Sequence, residues 1–179
     1  KPLTSADLER YLLLANDLPG VRVKSMFERM PVGDPGAMRL LMEIERKTVD
    51  ATLDVNNRGS KAIGPFRVQV LAAFNNLIGA EERVALLGVR VPDGEELSYL
   101  AGRYDIPLTS DGLAFGFGIS RSHSKVGTPT MVAINYQTDG WTGNFEFSYP
   151  WIRSRAENLY FSLGVDYKDL TSNILGLEF

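Results

Sequence analysis

Residues 113–120 read Leu113-Ala114-Phe115-Gly116-Phe117-Gly118-Ile119-Ser120. Every second side chain is large and apolar, and those between are small or polar. A period of two marks a β-strand with two unlike faces. The same rule holds downstream, where Phe145, Phe147 and Tyr149 alternate with Asn144, Glu146 and Ser148. Leu159, Phe161, Leu163, Val165 and Tyr167 likewise alternate with Tyr160, Ser162, Gly164, Asp166 and Lys168. Upstream, Phe66, Val68, Val70, Ala72 and Phe74 share one face, and Arg67, Gln69 and Asn75 the other. Residues 83–91 and 97–106 read as further strands, 131–137 as another, and 49–55 as a linker strand closed by the turn Asn56-Asn57-Arg58-Gly59. Several of these segments reach about nine residues or more, against roughly five or six in an ordinary globular strand. A membrane-crossing strand needs about nine to eleven.

Periodicity alone leaves two architectures open. In a soluble barrel or sandwich the aromatic face points inward, around a small apolar ligand in the manner of a lipocalin. In a membrane barrel it points to lipid, and the small polar face lines water. Tyr99, Tyr104, Trp141, Tyr149, Trp151, Tyr160 and Tyr167 fall largely near expected strand ends, where interfacial girdles would lie, which favours the membrane.

The first 47 residues follow a different rule. Thr4 and Asp7 have capping-box spacing, and Leu8, Tyr11, Leu12 and Ala15 recur at helical intervals until Pro19-Gly20. Residues 21–27 and 38–45 then alternate as two strands around the turn cluster Gly33-Asp34-Pro35-Gly36. The overall expectation is a mostly β protein with a small α+β N-terminal part over 1–47. About six or seven barrel strands are expected in 48–179.

Composition narrows the function classes. The 179 residues carry 19 Lys+Arg against 22 Asp+Glu, a net charge of −3, so nothing points to nucleic acid. There is no cysteine, which removes disulfides and thiolate chemistry. No apolar run approaches the 18 or so residues of a spanning helix. No signal peptide precedes the first helix pattern, so an envelope protein with this sequence is expected to be a mature or cut form. His123 is the only histidine, which excludes the HExxH zinc motif and leaves a catalytic triad resting on one polar strand-end residue. Gly116-x-Gly118 lacks the third glycine of a dinucleotide fingerprint and fits small residues on a strand face. Glu81-Glu82 and Glu95-Glu96 flank turns and are expected to be solvated. No enzyme activity, metal or cofactor is expected.

Several runs occur in a telling order: Leu18-Pro19-Gly20-Val21, Pro35-Gly36, Asn56-Asn57-Arg58-Gly59-Ser60 and Gly64-Pro65-Phe66-Arg67. After them come Asn75-Asn76-Leu77-Ile78-Gly79, Tyr104-Asp105-Ile106-Pro107-Leu108, Asp111-Gly112, Tyr149-Pro150-Trp151-Ile152-Arg153-Ser154-Arg155 and Asn158-Leu159. The series resembles the two-partner secretion transporters of the haemolysin-activator and filamentous-haemagglutinin-transporter type. The resemblance implies two periplasmic POTRA domains followed by a 16-stranded outer-membrane barrel. Residues 1–47 would be the last helix and two strands of the second POTRA domain, and 48–179 the linker and first barrel strands. The family's Val-Arg-Gly-Phe/Tyr pore-loop motif does not occur in this sequence.

Function would then be binding and conduction. The partners would be a secreted exoprotein and outer-membrane lipid. An unfolded client could add as a strand to the edge formed by Val21, Arg22, Val23, Lys24, Ser25, Met26 and Phe27, beside a helix face of Leu8, Tyr11 and Leu12. Arg67, Gln69, Asn144, Glu146 and Asp166 would face the lumen. A related barrel that inserts other outer-membrane proteins is a further alternative.

Overall fold

The computed structural model describes residues 4–29, 38–60, 62–92 and 97–178. The expected turn at Gly33-Asp34-Pro35-Gly36 and the pair Glu95-Glu96 lie outside them. Helix α1 (Ser5–Asp17) opens as its sequence dictates. The Thr4 hydroxyl accepts from the Asp7 N–H at 3.1 Å while the Asp7 carboxylate accepts from the Thr4 N–H at 3.4 Å, closing the capping box. Gly20, at φ 67°, turns the chain into β1 (Val21–Arg29), which pairs antiparallel with β2 (Met38–Arg46). These two strands form their own sheet, with α1 against β1.

The second sheet has eight strands in strict sequence order: β3 (Val49–Asn56), β4 (Arg67–Asn75), β5 (Arg83–Arg90), β6 (Leu97–Pro107), β7 (Ala114–Lys125), β8 (Gln137–Arg153), β9 (Asn158–Ile174) and the short β10 (Leu177–Glu178). Every neighbouring pair is antiparallel, the meander expected of an up-and-down barrel wall. The strands β6 to β9 run to 11, 12, 17 and 17 residues.

Two readings of the sequence change here. Residues 49–55 are not a linker: β3 pairs with β4 from Val49↔Phe74 to Asn56↔Arg67 and so begins the sheet. The strand expected at 131–137 does not form. Pro129 sits in the first turn of a short helix, α2 (Pro129–Ala133), where its fixed φ and missing N–H do no harm. Asn135 then takes φ 49°, and β8 starts only at Gln137.

Register sorts the side chains into two continuous faces. One carries Leu53, Val70, Leu86, Ile119, Phe117, Phe145, Phe147, Leu163 and Val165, all at least partly open to the surroundings. Among the described residues the buried apolar set is only Leu14, Ala73 and Val91. A soluble lipocalin-like protein would bury its aromatic rows. Here Phe117, Phe145 and Phe161 stay 44–57% exposed, so that reading falls.

The same outer face bears two aromatic levels on β8. Trp141 lies toward one end, and Tyr149 and Trp151 toward the other, with Trp151 edge-on to Phe161 at 5.6 Å. Eight residues of strand separate Trp141 from Tyr149, about 27 Å at 3.4 Å per residue. At a barrel tilt of about 40° this projects to roughly 20 Å of depth, a little less than the roughly 25 Å apolar band of an outer-membrane barrel. Tyr99 and Tyr160 do not join these girdles: Tyr99 opposes Ser122 and Tyr160 opposes Pro150, on the polar face.

Candidate functional site: the polar face and its helix-covered rim

The opposite face is polar and runs across all the long strands. Asp54 opposes Gln69, and Asn56 opposes Arg67. Further along, Arg103 opposes Gly118, which opposes Asn144, which opposes Asp166. Asp105, Gly116, Glu146 and Gly164 form the next row. The five lumen candidates Arg67, Gln69, Asn144, Glu146 and Asp166 therefore share one face. The two glycines of 113–120 now have a reason. A Cβ at Gly116 would lie 2.6 Å from an Arg103 guanidinium nitrogen and 2.8 Å from Asp105 Oδ1, and one at Gly118 would collide with the Asn144 amide oxygen. The missing side chains leave room for charged neighbours to lie flat along the wall. Arg103 uses that room to pair with Asp105 at 2.7 Å. Arg67 is different: its Nε is buried with no hydrogen-bond partner among the described residues.

One end of this face is covered by α1. Arg10 donates to the carbonyls of Pro150 at 2.9 Å and Asp111 at 3.1 Å. Arg153 forks onto Asp17, with Nε to Oδ2 and Nη2 to Oδ1 both at 2.7 Å, and donates its remaining nitrogen to Asn158 at 2.9 Å. Glu9 accepts the Arg155 N–H at 2.9 Å. Leu14, the one buried apolar residue of α1, meets the turn between β6 and β7 at Gly112. Gly112 is required there twice over. Its φ is 104°, and a Cβ would stand 2.8 Å from Leu14 and 2.5 Å from Pro150. A cleft of 440 Å³ remains between α1 and the rim, lined by Tyr11, Leu14, Asp105, Pro107, Ser148 and Tyr160 among others.

The turn at 76–82 holds the same end from the other side. Glu82, expected in solvent, is 1% exposed. Its carboxylate accepts the N–H groups of Ile78 at 2.8 Å and Ala80 at 3.1 Å. Burial by itself would raise its pKa. The backbone N–H groups of Ile78, Glu82, Ala80 and Leu77 outweigh that and hold it below the ordinary carboxylate value. They also stabilise a turn with three left-handed residues, Asn76 (57°), Gly79 (82°) and Glu81 (56°). Glu81 is bound to Arg46 at 2.7 Å. Asn75, 2% exposed, donates to the Lys47 carbonyl at 2.9 Å, and Gly20 admits that approach because a Cβ would strike both Lys47 and Asn75.

Residues 40–179 match the family model described as haemolysin secretion/activation protein ShlB/FhaC/HecB. The chain belongs to this family. The family places the chain in the bacterial outer membrane, a setting that its long two-faced strands suit. Two solved structures are similar in fold. CdiB from Escherichia coli aligns at TM-score 0.71 and 15% identity, over 93% of this chain and 31% of that one. BamA from Haemophilus ducreyi, solved without its POTRA domains 1–3, aligns at TM-score 0.57 and 17% identity, over 96% of this chain and 29% of that one. The chain thus spans about a third of the length of these neighbours. No curated protein sequence matches it.

Three of the runs that carried the resemblance lie at one end of the sheet, while Asn56 to Ser60 and Gly64 to Arg67 lie at the other. Asn75 to Gly79, Asp111-Gly112 and Tyr149 to Arg155 all meet at the covered rim. Sequence reasoning named these runs but not their partners Glu9, Arg10 and Asp17. Of the three helix residues it named, Tyr11 is 52% exposed, and Leu8 and Leu12 are half-buried. His123 lies near the end of β7 with Nδ1 2.9 Å from Asp139 on β8, part of a cross-strand pair.

The candidate client edge is modified by the helix. Asn16 donates from Nδ2 to the Val23 carbonyl at 3.1 Å and accepts the Val23 N–H at 2.8 Å. Both outward backbone groups of Val23 are thereby occupied, and the Val21 N–H goes to the Leu18 carbonyl at 3.2 Å. Arg22, Lys24 and Met26 turn their backbone groups to β2 instead, by the alternation of an antiparallel pair. Of residues 21–27, this leaves the Val21 carbonyl and the outward groups of Ser25 and Phe27 with no partner among the described residues. Signals for this existed, since Asn side chains readily bond backbone, but nothing local says which strand Asn16 would meet.

Proposed function

We propose that the parent protein secretes an unfolded partner exoprotein across the outer membrane, capturing it in the periplasm and conducting it along the polar face of the barrel. The observation that carries this reading is the division of one continuous eight-stranded sheet into a lipid-suited face and a polar face whose end is covered by α1, in a chain of this family. Residues 1–47 would close the second POTRA domain, with 48–179 forming barrel wall. The client would add to β1 at Ser25 and Phe27, backbone to backbone, which suits a partner of varied sequence. Arg67, Gln69, Asn144, Glu146 and Asp166 would line its path. The work is binding and passage, with no covalent step.

The test uses the full-length parent protein in a planar phospholipid bilayer. Discrete openings are expected, altered when residues 21–27 and their domain are deleted. Exchanging Glu146 and Asp166 for lysines should shift ion selectivity toward anions. A parent protein that gives no channels, and whose loss leaves every exoprotein at the cell surface, would overturn the reading. If its loss instead blocks assembly of other outer-membrane proteins, the insertion role suggested by the fold of BamA replaces it.

A further inference from the structure

The outer face changes character near the end of the sheet away from α1. The row Leu86, Gly102, Ile119, Gly143 and Tyr167 carries no charge. The next row outward holds Gly88, Leu100, Arg121, Trp141 and Asp169, and the one beyond holds Arg90, Ser98, His123, Asp139 and Thr171. Arg121 stacks over the Trp141 ring at 5.2 Å. Asp139 is engaged by His123. A recess of 390 Å³ is lined by Arg90, Ser98, Leu100, Arg121, His123 and the Asp139 carboxylate, among others. Arg90 and Arg121 make no ion pair among the described residues, so two guanidinium groups border a hollow at the margin of the lipid-facing band. Their Cα positions are two strands and two residues apart, about 12 Å from the sheet spacings. Extended arginine side chains can close that distance onto one anionic group.

We propose that this recess binds a phosphate of the phosphorylated glycolipid headgroup in the outer leaflet, with the acyl chains lying along the apolar rows beneath. Arg90 and Arg121 supply the charge-assisted hydrogen bonds, the Ser98 hydroxyl lies between them, and Trp141 marks the depth of the headgroup. A lipid fits better than a free anion because the charged rows continue directly into Leu100, Leu86 and Ile119. The carboxylates on this face of the described strands are Asp139, which lines the recess but is held by His123, Asp169, beside Trp141, and Glu178, opposite Asn173 at the sheet edge. Asp93, Glu95 and Glu96 lie outside the described residues. The proposal rests on the outer-membrane reading and on α1 marking the periplasmic end.

The experiment is a melting measurement on the delipidated full-length protein in detergent, with added diphosphorylated lipid A. Dephosphorylated lipid A and inorganic phosphate are the comparisons. Phosphorylated lipid A should raise the melting temperature far more than either. The double variant Arg90→Ala/Arg121→Ala should bind about a hundredfold more weakly, roughly tenfold per lost charged hydrogen bond. Ser98→Glu, which leaves both arginines in place and adds a repelling charge, should weaken binding even if the double variant folds poorly. Equal stabilisation by dephosphorylated lipid, by phosphate alone, or in Ser98→Glu would overturn the proposal. Bilayer conductance on the same samples should be unchanged in these variants, so a loss of channels in the wild type counts against the transporter reading and not against the lipid site.

Discussion

The two ends of the eight-stranded sheet are built on different principles. The end under α1 is tied by directed bonds: Arg10 to two carbonyls, Arg153 to Asp17, Glu82 to two N–H groups, and glycines where a Cβ would collide. Among the described residues the opposite end has few such bonds between its loops, with Gly127 donating to the Ala62 carbonyl at 2.7 Å and Leu175 to that of Ile134. The contrast teaches that the runs 75–79, 111–112 and 149–155 encode a joint. Positions that must hold a helix against a rim tolerate little variation in shape, whereas a loop in water or a row against lipid needs only a class of side chain.

Substitutions can break or sharpen this comparison. Gly112→Val should have the largest effect. A β-branched residue at φ 104° is strained by about 1–3 kcal/mol before its clash with Leu14 and Pro150 is added. Limited proteolysis should then cut the chain near α1, while the sheet keeps its heat resistance. Equally strong protection in the variant would show that α1 does not depend on that approach.

Arg153→Ala comes next. It removes both bonds to Asp17 and one to Asn158 from a side chain that is 17% exposed. With Asp17 itself 40% open to solvent, the expected loss is about 1–2 kcal/mol of helix docking. Slow hydrogen exchange in α1 is the readout, and Arg153→Lys should restore only part of it because the fork is lost.

Glu82 gives a smaller effect that depends on pH. Its folded pKa is depressed, so its contribution is full above the ordinary carboxylate value and disappears as pH falls through the lowered folded value. The wild-type turn at 76–82 should therefore loosen in acid. Glu82→Gln should be less stable at neutral pH and show a flatter acid response when melting is followed from pH 7 down to about 3. A parallel pair of curves would remove the carboxylate from the account.

Lys24→Ala should do least. Its ion pair with Glu45 lies on open strand surface, at 58% and 49% side-chain exposure. Such pairs contribute little, so no change in melting is expected. A clear loss would mean that the β1–β2 sheet leans on its surface charges in a way the rim does not.

How much could be read beforehand follows from the range of each interaction. Strand alternation is a property of consecutive residues, so the unlike faces, the shared face of Arg67, Gln69, Asn144, Glu146 and Asp166, and the capping box at Thr4 were legible directly. The missed helix at 129–133 was legible in part from Pro129, but Met131, Val132 and Ile134 read equally well as strand. Glu82 was misjudged because two adjacent acids beside a turn look solvated until the turn folds back over one of them. The reach of Asn16 to Val23, and of Arg10 and Asp17 to the rim, could not be seen, since the groups bound to Arg10 and Asp17 lie more than a hundred positions along the chain.

Sequence by itself determined that this chain makes long two-faced strands after a capped helix, and with them its family. Hydrophobic alternation acts within a few residues and needs no knowledge of the fold. Only the tertiary structure decided which end is held and which is open, which backbone groups of β1 have no partner among the described residues, and which two arginines border one recess. Those depend on register between strands and on contacts across the sheet, which no local pattern of side chains contains.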